Sequence, residues 1–498
     1  MPEEGRSARL RKAAGLAAGL AAFFAIAFVP SGLHQVPGAG GAPAAAAGIA
    51  ALMAIWWFTE ALPIHWTALV PLVAYPLLGV FEPWVGREGA GTLLLRNAGR
   101  AAAPYGDAYI FLFLGGMMIG AAAEQWNLHR RVALHILRAI GVGPRRLLLG
   151  VLAATAFVSL WISNTATAVM MTPIGMALLS QLEAAAGGRR LGHFGAAVML
   201  AVAYGSNVGG IGTKIGTGPN SILCGWVQRH MGLELSFLYY MLLALPFVVL
   251  FLPVVWAVLW RRARRDPLDG LRADEVLDRE LAALGPMSVP ERKVLAVFLA
   301  AAVLWIFGNV LRPAVAPWVP RFWEGFQFRE KHYEAAVAMA AGAALLALRV
   351  LSPARLMRIP WDTLVLLGGG FALAAGVEGS GLSEWLALRL KAVAGFPAPV
   401  QIGLAALFSV GLTAVASNTA TINVLLGLVP RSLPVLMAVT LGCSCDFMLP
   451  AGTPPNAIVF GSGYIRLPVM IRTGFALDLA AVLAIVLYGS FYLRWIAS

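Results

Sequence analysis

The 498-residue chain is 59% hydrophobic and only 12% charged, with a mean hydropathy of +0.78. Soluble proteins carry about a quarter charged residues, so a soluble enzyme or binding domain is excluded and an all-α polytopic membrane protein, with the lipid bilayer as its solvent, is implied. The formal net charge of +13 lies in short stretches between apolar runs, with no basic stripe interleaved with aromatics, so it follows the positive-inside pattern and does not mark nucleic acid as a partner.

Arg6, Arg9, Arg11 and Lys12 precede an apolar run from Ala13 to Val29. No clear small-x-small cleavage site follows it. Residues 1–43 are therefore expected to be a cytoplasmic tail and a retained first helix. Apolar runs follow at 44–61, 65–81, 108–125, 147–182, 195–226 and 235–260. Beyond a polar stretch they resume at 293–311, 334–350, 362–380, 399–429, 434–465 and 470–495. A helix of about 20 apolar residues spans a bilayer. The polar stretch, residues 261–292, opens on Arg261-Arg262-Ala263-Arg264-Arg265 and is expected to be a cytoplasmic linker between halves at 44–260 and 293–498.

The halves repeat. Gly115-Gly116, Glu124, Leu128 and Ser163-Asn164-Thr165-Ala166-Thr167 recur 254 residues later as Gly369-Gly370, Glu378, Leu382 and Ser417-Asn418-Thr419-Ala420-Thr421. Thr217-Gly218-Pro219-Asn220 is answered by Thr453-Pro454-Pro455-Asn456 at an offset of 236. An ordered series of this kind implies internal duplication, and inverted-topology repeats are common among secondary transporters. Basic and apolar residues alternate at helical spacing from Leu128 to Ile140, which predicts an amphipathic helix along the membrane surface, with a counterpart around Ser383 to Ala394.

Polar residues inside an apolar run need partners, because an unpaired buried polar group costs roughly 2–7 kcal/mol. The run 147–182 is twice the length of one span and has Ser163-Asn164-Thr165 near its middle. A re-entrant hairpin with that motif at its tip accounts for both, and 399–429 repeats the design around Ser417-Asn418-Thr419. Gly209-Gly210-Ile211-Gly212-Thr213 and Gly452-Thr453-Pro454-Pro455-Asn456 predict broken helices, whose free carbonyls suit a cation and whose helix N-termini suit an anion. Cys224, Cys443 and Cys445 lack zinc-ligand spacing and are expected to pack. No GxxxxGK[ST], HExxH or GxSxG motif points to a pump or an enzyme.

These residues, with Trp57-Phe58-Thr59-Glu60-Ala61-Leu62-Pro63 and Phe111-Leu112-Phe113-Leu114-Gly115-Gly116, resemble the divalent anion:sodium symporter family over nearly the whole chain after the first helix. The resemblance implies about eleven transmembrane helices, a homodimer in the inner membrane, an elevator-like mechanism, and sodium as coupling ion with no other cofactor. It implies a first sodium site of Ser159, Ser163, Asn164 and the Gly216 backbone, and a second of Thr413, Ser417, Asn418 and the Gly452 backbone. The two substrate carboxylates are expected at Asn164-Thr165 and Asn418-Thr419, helped by Thr217, Thr453 and Pro454, with succinate, malate or fumarate as cargo. The alternatives on the same fold are a sodium-independent dicarboxylate exchanger and a carrier of citrate or sulfate. Lys214 and Asp446 depart from the family pattern; they are expected either to pair with each other or reach water, or to alter cation coupling.

Overall fold

The computed structural model describes residues 6–36, 39–82, 90–319, 327–389 and 395–497. Helix is the regular element throughout the described residues, as expected where lipid offers the backbone no partner of its own. Among the described residues seven helices are long and apolar enough to cross a membrane, and eight if Val289–Ile306 and Gly308–Val315, bent by 86°, form one span. Shorter apolar helices cover Ile64–Leu78, Ala398–Thr413 and Leu433–Ser444.

Outer helices keep an exposed apolar stripe. Phe475, Leu479, Leu483 and Leu487 lie four residues apart on Leu467–Tyr488, and each is exposed. Such a stripe is suited to lipid chains. Gly192–Gly210 and Leu433–Ser444 are instead buried on nearly every side, as befits helices apolar all round. Small residues permit this closeness: a Cβ on Gly209 would lie 2.2 Å from the Ala156 carbonyl oxygen of a neighbouring helix.

The long apolar runs resolve into broken elements where the sequence places polar motifs. The first hairpin consists of Pro144–Ser159 and Asn164–Ala185 joined at residues 160–163. The second consists of Ala398–Thr413 and Asn418–Leu425 joined at 414–417. Each return arm starts at a serine N-cap, Ser163 accepting from the Ala166 amide at 3.4 Å and Ser417 from the Ala420 amide at 3.2 Å. The first broken helix is Gly192–Gly210 followed by Gly218–Met231, and the second is Leu433–Ser444 followed by Pro454–Phe460.

Two features differ from the sequence expectation. The polar linker contains a helix, Asp274–Leu284, whose Val276 and Leu277 are buried while Asp274 and Glu275 sit in its first turn, where the helix dipole favours acids. The amphipathic helix Leu128–Ile140 turns part of its basic face to this region. Arg130 pairs with Glu280, and Arg131 pairs with Glu291 at 2.5 Å and donates to the Gly285 carbonyl at 3.0 Å. Those two arginines tie the helix to the linker and its exit. The expected counterpart is helical over Leu382–Arg389, while residues 390–394 lie outside the described residues.

Candidate functional site

Each hairpin tip is held by one hydroxyl. Ser159 donates to Asn164 Oδ1 at 2.8 Å and also contacts the Ser206 carbonyl at 2.8 Å. Thr413 donates to Asn418 Oδ1 at 2.7 Å and contacts the Cys443 carbonyl at 3.0 Å. In both halves the hydroxyl ties the last turn of the incoming arm to the first residue of the return arm. It ties both to the neighbouring broken helix.

Each break is held by one asparagine. Asn220 Nδ2 donates to the carbonyls of Gly210 at 2.8 Å and Thr213 at 2.6 Å. Asn456 Nδ2 donates to those of Asp446 at 3.2 Å and Leu449 at 3.0 Å. These acceptors are again 236 residues apart, so the motif repeat is a repeat of hydrogen bonds as well as of letters. An unwound backbone at membrane depth needs such internal partners.

The halves meet at these breaks. A Cβ on Gly218 would lie 3.0 Å from Thr419 Oγ1, so the second tip abuts the start of Gly218–Met231. Reciprocally, Pro454–Phe460 packs on the return arm Asn164–Ala185 and on Gly192–Gly210. Asn207 links the two halves by donating to the Asp446 carbonyl at 3.1 Å and to Thr453 Oγ1 at 3.2 Å. Ser159, Thr413, Gly216, Gly452 and Thr453 are buried; Asn164, Asn418, Ser163, Ser417, Thr217 and Thr419 are half-buried; Thr165 and Pro454 are exposed. The groups expected to hold cations therefore lie mostly deeper than those expected to meet an anion.

The constellation consists of hydroxyl, carboxamide and carbonyl oxygens, which suit a hard monovalent cation, beside first-turn amides of the return arms, which suit a carboxylate. A cavity of about 210 Å³ reaches Ser163 and Ala166 of the first tip and is lined elsewhere by Glu124, Arg355 and Arg358. A separate cleft of about 510 Å³, mostly apolar, lies against Ala47, Leu373 and Val424 and includes none of the predicted site residues.

Lys214 and Asp446 do not pair with each other. Lys214 is fully buried and donates to Glu334 Oε1 at 2.8 Å and Oε2 at 2.6 Å. Glu334 Oε1 also accepts from the Phe237 amide at 2.6 Å, which fastens the first break to Glu330–Ala347 and to the start of Phe237–Ala263. The lysine's positive charge is thus balanced within the protein. Asp446 is equally buried, and neither of its carboxylate oxygens has a hydrogen-bond partner of regular geometry.

Asn207, Asn220, Asn456 and Glu334 were not singled out as site residues from the sequence. Asn207 and Asn220 are polar residues within an apolar run, and Glu334 is an acid at the start of one. That signal marks them as needing partners without saying which.

A family model described as the transmembrane region of sodium:sulfate symporters matches residues 10–498. A protein of Staphylococcus saprophyticus, named sodium-dependent dicarboxylate transporter SdcS, is 35% identical over 457 residues, covering 87% of this chain and 83% of that protein. Its namesake in Staphylococcus aureus is 34% identical over 464 residues, with the same coverage. Two solved structures share the fold at lower identity. The Alcanivorax borkumensis YdaH transporter gives a TM-score of 0.53 at 15% identity, covering 86% of this chain and 97% of that one. Neisseria gonorrhoeae MtrF, described with a class of antimetabolite efflux pumps, gives 0.57 at 13% identity, covering 88% and 96%.

Proposed function

Because the chain belongs to the sodium:sulfate symporter family, we propose that it carries four-carbon dicarboxylates of the succinate, malate and fumarate class across the inner membrane, coupled to sodium. The observation that carries this reading is the duplicated tip-and-break constellation, neutral in its side chains apart from Asp446. A dianion entering a dry neutral site is expensive to desolvate, so bound cations are needed to offset its charge. Sodium at Ser159, Ser163, Asn164 and the Gly216 backbone, and at Thr413, Ser417, Asn418 and the Gly452 backbone, orders the two tips. The ordered tips then present Asn164 and Thr165 to one carboxylate and Asn418 and Thr419 to the other, helped by Thr217, Thr453 and Pro454 from the two breaks. The name of the relatives, sodium-dependent dicarboxylate transporter, supports a dicarboxylate as cargo, and the four-carbon class is chosen because both Ser-Asn-Thr motifs are intact.

The same reading places the two halves in opposite orientations, with about eleven spans formed by the long helices and the three shorter apolar ones. It puts the N-terminus and the Arg261–Arg265 cluster in the cytoplasm and has the protein working as a homodimer by elevator-type alternating access. Lys214, neutralised by Glu334, anchors the first break in this account and adds no free charge. Reconstituted protein should accumulate labelled succinate when an inward sodium gradient is imposed, and saturable counterflow should separate a carrier from a channel. Uptake indifferent to sodium but accelerated by internal dicarboxylate would replace the symporter with an exchanger. External labelling of Arg262→Cys in intact cells would overturn the topology.

A further inference from the structure

Resting on the cation-site reading above, we propose that Asp446 is a direct ligand of the sodium ion bound in the second half, so that one coupling site carries a formal charge and the other does not. The first observation is positional. Asn220 grips the carbonyl of Gly210, and Asn456 grips the carbonyl of Asp446 in the same way, so residue 446 stands where residue 210 stands in the first half. In the first half this register has no room for a side chain, since a Cβ on Gly210 would lie 2.2 Å from Asn164 Oδ1, whereas the second half carries one there. A Cβ on Gly452 would lie 1.8 Å from Asp446 Oδ2 and 2.7 Å from Oδ1, so the carboxylate rests directly against the glycine of the break. Gly452, whose backbone is expected to hold the second sodium ion, thus has the carboxylate as its immediate neighbour.

The second observation is the missing partner. Among buried acids, Glu334 has Lys214, Glu291 has Arg131, and Asp107 has Arg229 at 2.8 Å and Lys331 at 3.2 Å. Asp446 is 0% exposed, and both its oxygens lack a hydrogen-bond donor of regular geometry. Its polar surroundings are the Met448 amide and a second acid, Asp478, itself held by the Phe447 amide at 3.2 Å. Among the described residues it makes no ion pair. A buried charge persists only when paired or coordinated to a metal. The expected second-half ligands are oxygens, and the carboxylate adds oxygen beside Gly452, one of them; oxygen ligands are what a hard cation takes.

The consequence is a division of labour. Sodium in the second half is balanced by the protein, while sodium in the first half is balanced by the transported anion. A carrier returning without sodium would have to leave the Asp446 charge uncompensated or take a proton onto it, and either adds a cost to slippage.

The test is sodium titration of the purified full-length protein in nanodiscs without substrate, with choline holding ionic strength constant and thermal stabilisation as the readout. Asp446→Asn removes the charge at constant shape. Gly452→Ala keeps the acid but fills the space that Oδ2 occupies. Both should raise the half-saturating sodium concentration by about tenfold or more, the scale of one lost charged interaction. Wild-type titration behaviour in Asp446→Asn would overturn the proposal, and so would unchanged behaviour in Gly452→Ala if the first variant does not fold. A wild-type protein that sodium does not stabilise would overturn the cation-site reading itself, and this proposal with it.

Discussion

The two halves of the molecule build the same frame and then place charge differently. In each, a hydroxyl holds the hairpin asparagine and a second asparagine holds the break, with distances that agree to a few tenths of an ångström. Around that shared frame the first half's break carries a lysine sealed against Glu334 from the second half, while the second half's break carries an acid with no ion-pair partner among the described residues. The first arrangement is a structural joint: three elements meet at Glu334, and its charge is already balanced. The second is an open valence. Duplication has preserved the geometry that a transport cycle needs twice and has released the electrostatics to diverge.

The comparison can be broken most severely at the asparagines. Asn164→Ala and Asn418→Ala should each abolish uptake while leaving an inserted, folded protein, since each removes the group that the hydroxyl positions for ion and substrate alike. A hydrogen bond to a charged group contributes about 1.5–3 kcal/mol, and two are lost at once. Near-normal transport by either variant would show that its tip only packs helices.

The joint in the first half comes next. Lys214→Leu leaves Glu334 buried and alone, and Glu334→Gln does the reverse to Lys214. Breaking a buried pair on one side costs about 3–5 kcal/mol, read as a fall in the thermal midpoint of the solubilised protein. The double variant Lys214→Leu/Glu334→Leu should recover part of that loss, because no buried charge is left unpaired. If both single variants melt like the wild type, the pair is not holding the break.

A sharper contrast comes from the equivalent positions 210 and 446. Gly210→Ala should lower the apparent affinity for sodium, because its Cβ would come within 2.2 Å of Asn164 Oδ1 and displace the carboxamide. Asp446→Ala meets no such obstacle, since the position already carries a larger side chain, and its protein should fold normally. A wild-type sodium response in Gly210→Ala, or loss of folded protein in Asp446→Ala, would contradict this contrast.

The smallest effects belong to the caps. Ser163→Ala and Ser417→Ala remove matched N-caps and should each cost about 1 kcal/mol of stability, measured by thermal unfolding without ligand. Any larger loss of sodium-dependent stabilisation would reflect their further role as cation ligands.

Much of this design was legible in the letters. The lengths of the apolar runs give the helices, because lipid leaves a chain no other way to satisfy its backbone. Glycine, proline and paired polar motifs give the breaks, and the offsets of 254 and 236 give the duplication. Long-range partnership was not legible. Glu334 is 120 residues from Lys214, and nothing in the local pattern of either announces the other. The sequence also shows Asp446 as an anomaly without showing that Gly452 leaves room for its carboxylate. The linker helix was hidden because Asp274–Leu284 reads as a charged surface stretch until its apolar face finds the rest of the fold.

The account stands most directly on linkage between ion and substrate. If sodium orders the tips that bind the dianion, sodium must raise succinate affinity, and succinate must raise sodium affinity by the same factor. Equilibrium binding of labelled succinate to the purified protein across a sodium series, with the reciprocal sodium titration at fixed succinate, measures both. The account predicts matching increases. Succinate binding of equal strength in sodium and in choline would contradict it.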